Sequence, residues 1–398
     1  MQSTWRRARA VRWAVPVAAF VVVGAAVGAG PVIAAVQGDP TLPDRTAERL
    51  LAEVVKTAQH ERPPAMSGTV VETASLGLPS LPLPSGTSSS PLSLLSGSHT
   101  LKVWYGGDGR LRLALPGQMS ETDVISDGKG STWLWESDTN TATRFSLPED
   151  VKGGKGEAAE PRHTALPTAT TPQDIANQLL KAADQNTAVT VENGQHIAGR
   201  AAYQLVLTPK DSTSLVDHVT LALDGETYIP LRVQIFAKGA AEPAFEIGFT
   251  QVSFSTPAPE NFAFTPPAGA KVNEQKPEAG KPGESLSEGA ELGHDLAGGE
   301  AARAGARSHG SGWGTVAEVP FSLADLSKQQ NGRGGNGRGG DPAQLIESVL
   351  KSAQRVSGPW GSGRVIKTKL VSVLLTDDGR LFAGAVTPEA LVQAAGRK

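Results

Sequence analysis

The chain has 398 residues, of which 45 are glycine and 28 proline, so it is long enough for two domains but contains stretches that do not build a core. Lys and Arg number 37 against 40 Asp and Glu, and this near-neutral balance gives a nucleic-acid partner no electrostatic support. There is no cysteine, which excludes disulfides, thiolate metal sites, a cysteine nucleophile and lipid attachment through a lipobox.

Arg6, Arg7, Arg9 and Arg12 precede an uncharged run from Trp13 to Val36. A basic flank before an apolar stretch reads as an export segment spanning 1–40. Its length, beyond the about 7–15 residues of an ordinary signal core, favours a retained membrane anchor. Its glycines, and the small residues near Ala34 and Ala35, favour cleavage. Both outcomes put the body of the protein outside the cytoplasm.

"DRTAERLLAEVVKTAQH" follows, with Ala47, Leu50, Leu51, Val54 and Ala58 on one helical stripe. "MSGTVVETASL" reads as a strand. The Leu/Pro/Ser-rich stretch 77–98 is too apolar for an ordinary exposed loop, and is either a mobile segment touching lipid or a loop packed on the sheet edge. "HTLKVWY", a Gly-Gly-Asp-Gly turn, "RLRLAL" and the hairpin "DGKGSTWLWESDTNTATRFSLP" come next. That hairpin has bulk on both sides, Trp133 and Trp135 on one and Leu134 on the other, where a sheet with one wet face alternates apolar with polar. A polar insertion spans 149–170, and Thr171-Pro172-Gln173-Asp174 opens a second helix.

"GRAAYQLVLTP", "VDHVTLALD", "TYIPLRVQIFAK" and "PAFEIGFTQVSF" are four strands joined by short turns, the pattern of an antiparallel meander. Phe245, Ile247 and Phe249 alternate, then the phase slips by one to Val252 and Phe254, which marks a β-bulge. Residues 273–311 read as a low-complexity linker. A C-terminal unit over 312–398 carries "GWGTVAEVPF", a helix from Asp341-Pro342, a hairpin turning at Asp377-Asp378-Gly379, and a last helix in "TPEALVQAA". Histidines stand singly, with no pair at metal-ligand spacing and no H-E-x-x-H or G-x-S-x-G. The chain is expected not to be an enzyme and to need no cofactor.

The order of elements, with "AGRAAYQLVLTP", "TYIPLRVQIF" and the closing "FTQVSFSTPAPENFAFTPPAGAKV", resembles the LolA/RseB superfamily over residues 46–272. The resemblance implies an α+β fold: a curved antiparallel half-barrel covered by helices, with the small C-terminal unit appended after 41–272. It implies an extracytoplasmic carrier of lipid or lipoprotein that takes an acyl chain. The alternative is a regulator that binds an anti-sigma factor or another membrane protein. The hydrophobic cavity candidates are Trp104, Trp133, Trp135, Phe145, Tyr203, Phe245 and Phe249. Which sheet face they line is not legible in the sequence. Carriers of this group place an Arg-Pro element on an early strand, and this chain has none, so their gating does not carry over.

Overall fold

A computed structural model describes residues 42–59, 64–77, 96–117, 119–146, 186–275, 307–321 and 353–397. The export segment, most of the Leu/Pro/Ser stretch, the polar insertion, and the helices expected from Thr171 and Asp341 lie outside the described residues.

Helix α1 (Ala47–Gln59) is capped by Thr46, whose Oγ1 accepts from the Arg49 amide at 3.3 Å. Its stripe buries Leu50 and Val54 completely. The strands that follow are β1 (Met66–Ser75), β2 (Ser96–Tyr105), β3 (Arg110–Pro116), β4 (Glu121–Asp127), β5 (Ser131–Glu136) and β6 (Thr141–Ser146). They continue with β7 (Thr187–Ile197), β8 (Arg200–Pro209), β9 (Val216–Asp224), β10 (Pro230–Ala237), β11 (Phe245–Ser253) and β12 (Lys271–Gln275).

These form one open twelve-stranded sheet in the order β12-β6-β5-β4-β3-β2-β1-β11-β10-β9-β8-β7. Two antiparallel meanders, β1–β6 and β7–β11, meet where β1 pairs with β11. The expected phase slip is there: Thr69 pairs with Gln251 and Val70 with Phe249, leaving Thr250 as the extra residue of a bulge. Three strands of this sheet, β4, β7 and β12, were not apparent in the sequence; in β4 and β7 polar residues blur the alternation that marks a strand. The helical cover expected over the sheet is represented, among the described residues, by α1 alone; the architecture there is mainly β.

After β11 the chain crosses the back of β3–β6 as a strap. A short 3₁₀ turn (Pro259–Phe262) buries Phe262, with the Arg110 guanidinium 4.9 Å from the ring centre. Phe264 packs between the two tryptophans of the β5 strand, 5.5 Å from Trp133 and 6.0 Å from Trp135. The strap ends by adding β12 in parallel to β6, and Asn140 Nδ2 donates to Gly269 O at 3.0 Å across the joint.

The second sheet contains β13 (Arg307–His309), β14 (Val316–Pro320), β15 (Gln354–Gly358), β16 (Gly361–Lys367), β17 (Ser372–Thr376) and β18 (Arg380–Gly384). Its order is β13-β14-β18-β17-β16-β15. Helix α2 (Pro388–Ala395) buries Leu391 against a cluster with Val365, Leu374 and Phe382. Strand structure thus takes in 273–275 and 307–309, at both ends of the stretch read as linker.

Main-chain hydrogen bonds tie this sheet to one end of the first: Leu215 N to Ala385 O and Lys369 N to Leu76 O, each at 2.8 Å. Trp313 Nε1 donates to Thr187 Oγ1 at 2.8 Å, and Trp313 and Leu370 are buried within the core cluster of the first sheet.

Replacing Phe264 with Ala removes two aromatic contacts worth about 0.5–1.5 kcal/mol each beyond their buried area. Urea unfolding should then report a loss of about 1–3 kcal/mol. Met119→Ala, at a side chain 99 % exposed, should leave the midpoint unchanged. Equal midpoints for the two variants would show that the strap does not hold the sheet.

Candidate functional site

Cross-strand partners in a sheet share a face, so the registers divide this one without ambiguity. One face is mainly apolar. Tyr105, Leu111, Ser126, Thr132 and Phe145 lie along one row that runs from Met66, and Val103, Leu113, Val124, Leu134 and Thr143 along the next. The opposite face is polar where water meets it: Gln204 donates to Glu192 Oε2 at 2.8 Å, and Gln234 to Glu246 Oε2 at 2.9 Å.

The apolar face is not filled evenly. On the β7–β11 side Leu205, Leu221, Val233 and Ile247 are at most 1 % exposed. On the β3–β6 side Leu111, Val124, Leu134 and Phe145 are only half-buried, and Leu134 and Phe145 stand outside the packed cluster.

At the seam between the halves stands Glu72 of β1. Its row continues as Ile247, Val233, Leu221, Leu205 and Val191 across β11, β10, β9, β8 and β7, all apolar. On β2 it faces His99, whose Nε2 lies 3.1 Å from Ser96 O. Glu72 is 4 % exposed, and neither carboxyl oxygen has a hydrogen-bond partner. Burial alone pushes it from its ordinary value of 4.5 up to about 7.

The other buried carboxyl groups among the described residues are all paired. Asp224 meets Arg200 and the Thr227 amide; burial would raise it, but these partners hold it below its usual range. Glu318 meets His309 at 2.6 Å and Arg380 at 3.5 Å. Asp123 meets Arg112, yet burial and the neighbouring Glu121 still push it up to about 6. Glu72 was missed in the sequence, although its signal is present: an acid in phase with Met66, Val70 and Ala74 of one strand.

The structure splits the seven cavity candidates. Phe145, Tyr203, Phe245 and Phe249 lie on the apolar face, whereas Trp104, Trp133 and Trp135 share the opposite one. Tyr203 and Phe249 are buried in the packed cluster, and the Tyr203 hydroxyl donates to Pro43 O at 2.8 Å. Phe245 and Phe145 are half-buried. On the other face Arg112 stacks 5.4 Å from Trp104 and Arg144 5.6 Å from Trp133, beside the strap. Among the described residues no group of three or more His, Asp or Glu could hold a metal ion, and no helix is long and apolar enough to cross a membrane.

Solved structures of the LolA/RseB kind are similar to this chain. The MucA/MucB complex of Pseudomonas aeruginosa supplies a chain 15 % identical, matched over 87 % of this chain and 97 % of that one, with a TM-score of 0.41. A LolA superfamily protein from Nitrosomonas europaea is 11 % identical over 56 % of this chain and 99 % of its own, with a TM-score of 0.20. LprF from Mycobacterium bovis is 11 % identical over 54 % and 99 %, with a TM-score of 0.27. No family model and no curated protein matches the chain. Likeness at this level assigns no role to any residue.

Because Glu72 is held as the neutral acid in the fold, its stabilising contribution is intact below about 4.5 and is lost as pH rises towards about 7. Asp123, raised to about 6, adds a similar fall at lower pH. The interval from pH 6 to 7 therefore reports Glu72 most cleanly. Thermal melts of the wild type should decline across it, and Glu72→Gln should flatten the decline. Parallel curves for the two proteins would mean that the carboxyl is not buried uncharged.

Proposed function

We propose that this chain is an extracytoplasmic lipid- or lipoprotein-binding protein that lays an acyl chain against the β3–β6 side of the apolar sheet face. The observation that carries this reading is the uneven filling of that face. A fully packed sheet leaves no volume for a ligand, and a fully exposed one would aggregate. Here Leu111, Val124, Leu134 and Phe145 continue the wall of the core without being sealed into it. Each methylene moved from water onto such a wall contributes about 0.8 kcal/mol, so a long acyl chain has ample driving force. The basic, apolar N-terminal segment supports export.

The tryptophans take a different part in this reading. Trp133 and Trp135 hold the strap, so their loss is a stability defect, while Leu134 between them points to the ligand side.

One observation favours a second reading, a regulator that binds an anti-sigma factor or another membrane protein. The second sheet docks on the first by main-chain bonds at the end where β1 leaves Ser75, and so adds a protein surface beside the apolar face.

Mass spectrometry of lipid co-purifying with the protein from an envelope fraction tests the first reading. Wild type should carry acyl lipid, and Leu134→Asp or Phe145→Asp should lose it while keeping the far-ultraviolet spectrum of the fold. Trp133→Asp should lower stability instead. A wild type that never carries lipid, yet binds the extracytoplasmic part of an anti-sigma factor, would replace the first reading with the second.

A further inference from the structure

Beside Val124 and Leu134 the half-open wall ends in a row that is not apolar. It runs Leu115, Thr122, Glu136, Thr141 and Lys271 across β3, β4, β5, β6 and β12. Strand β5 ends at Glu136, and β6 and β12 begin at Thr141 and Lys271, so this row is the margin of the wall. Glu136 follows Leu134 on the same face of β5, about 7 Å further along the strand. Leu115, Thr122, Glu136 and Thr141 are half-buried and Lys271 is exposed, so solvent reaches the margin.

Opposite charges stand in this row and do not meet. Glu136 and Lys271 are two strands apart, about 10 Å at about 4.8 Å per strand. Neither side chain forms an ion pair with another described residue, whereas Asp108 pairs with Arg110 and Asp378 with Arg380. The hydroxyl of Thr122, directly opposite Glu136, has no partner, and that of Thr141 donates to Thr139 O at 3.1 Å. Burial first, and then the nearby Asp138, push the Glu136 carboxyl above its ordinary value, which a freely solvated rim acid would keep. A cation beside it offsets both effects.

We propose that this margin holds a zwitterionic headgroup, its ammonium beside Glu136 and its phosphate towards Lys271, with the acyl chain over Leu134 and Val124. The inference rests on the apolar-face reading and adds the headgroup to it. An ammonium and a phosphate joined by two carbons span less than two strand spacings, and the Glu and Lys side chains are long enough to close the difference. The alternatives match the row less well. A headgroup with only negative charge would face Glu136 and Asp138 without a cation, and a lone amine would leave Lys271 unmatched. Because the row is half-open, neither ion has to give up all its water, and the cost that defeats fully buried pairs is avoided.

The test compares lysophosphatidylethanolamine with lysophosphatidylglycerol of the same acyl chain, which keeps the phosphate and lacks the amine. Each competes with a fluorescent fatty acid for the full-length protein at low salt, below its micellar concentration. Wild type should prefer the ethanolamine lipid by about fivefold, the scale of one half-exposed ion pair. Glu136→Gln should bind the two alike, and Glu136→Lys should reverse the preference, which a merely structural role would not do. Lys271→Gln should weaken both lipids to the same degree and keep the preference. No preference in wild type, or the same preference in Glu136→Gln, overturns the proposal while lipid binding itself stands. Unchanged binding of both lipids by Lys271→Gln overturns the placing of the phosphate. Failure of both lipids to bind wild type removes the apolar-face reading and the headgroup site with it.

Discussion

The pairing of β1 with β11 joins two meanders that are otherwise separate, and its register sets which residues across the whole sheet share a face. Gly68 sits at the bulge in that pairing. A Cβ there would stand 2.5 Å from Gln251 O and 2.8 Å from the Phe249 ring, closer than atoms approach. The extra residue, Thr250, ties itself back by donating from its hydroxyl to Thr69 O at 3.2 Å. Without the bulge, a one-residue slip would turn Phe249 outward and bring Thr250 into the core, and every pair beyond would follow.

From that register come two faces with different means of protection. The polar face on the β2–β6 side carries aromatic side chains, and the chain covers them itself with the strap. Phe262, Phe264 and the guanidinium groups of Arg110, Arg112 and Arg144 form a layer in which cations lie over rings. The tryptophans of β5 are therefore occupied by contacts within the chain. On the apolar face the β7–β11 side is closed as an ordinary core, joined by Leu50 and Val54 of α1. The remaining wall is apolar and incompletely covered, which is the condition a binding face must meet.

The second sheet belongs to the same physical system. Trp313 and Leu370 are buried in the core cluster of the first sheet, and the hydrogen bonds at Leu76, Thr213 and Leu215 fix its orientation. At this joint Lys369 donates from its amide to Leu76 O and from its ammonium to the Ser75 hydroxyl, at the end of the strand that carries Glu72.

The strands β8 to β11, the bulge, helix α1 and the terminal helix α2 were all legible in the sequence, because each follows from local periodicity and turn chemistry. That the hairpin at 131–146 has two apolar sides was legible too. Which side faces the core was not, since alternation says only that Trp133 and Leu134 point apart. The strap decided it, by bringing Phe264 onto Trp133 from more than a hundred residues along the chain. Strands β4 and β7 were hidden because their polar residues are tolerated only beside particular neighbours, Asp123 beside Arg112 and Glu192 beside Gln204. Glu72 marks the same divide. Its place in the phase of Met66 and Val70 is a property of the sequence. Its lack of a partner is a property of the assembled sheet, because only the cross-strand row shows that every group brought beside it from β11 to β7 is apolar.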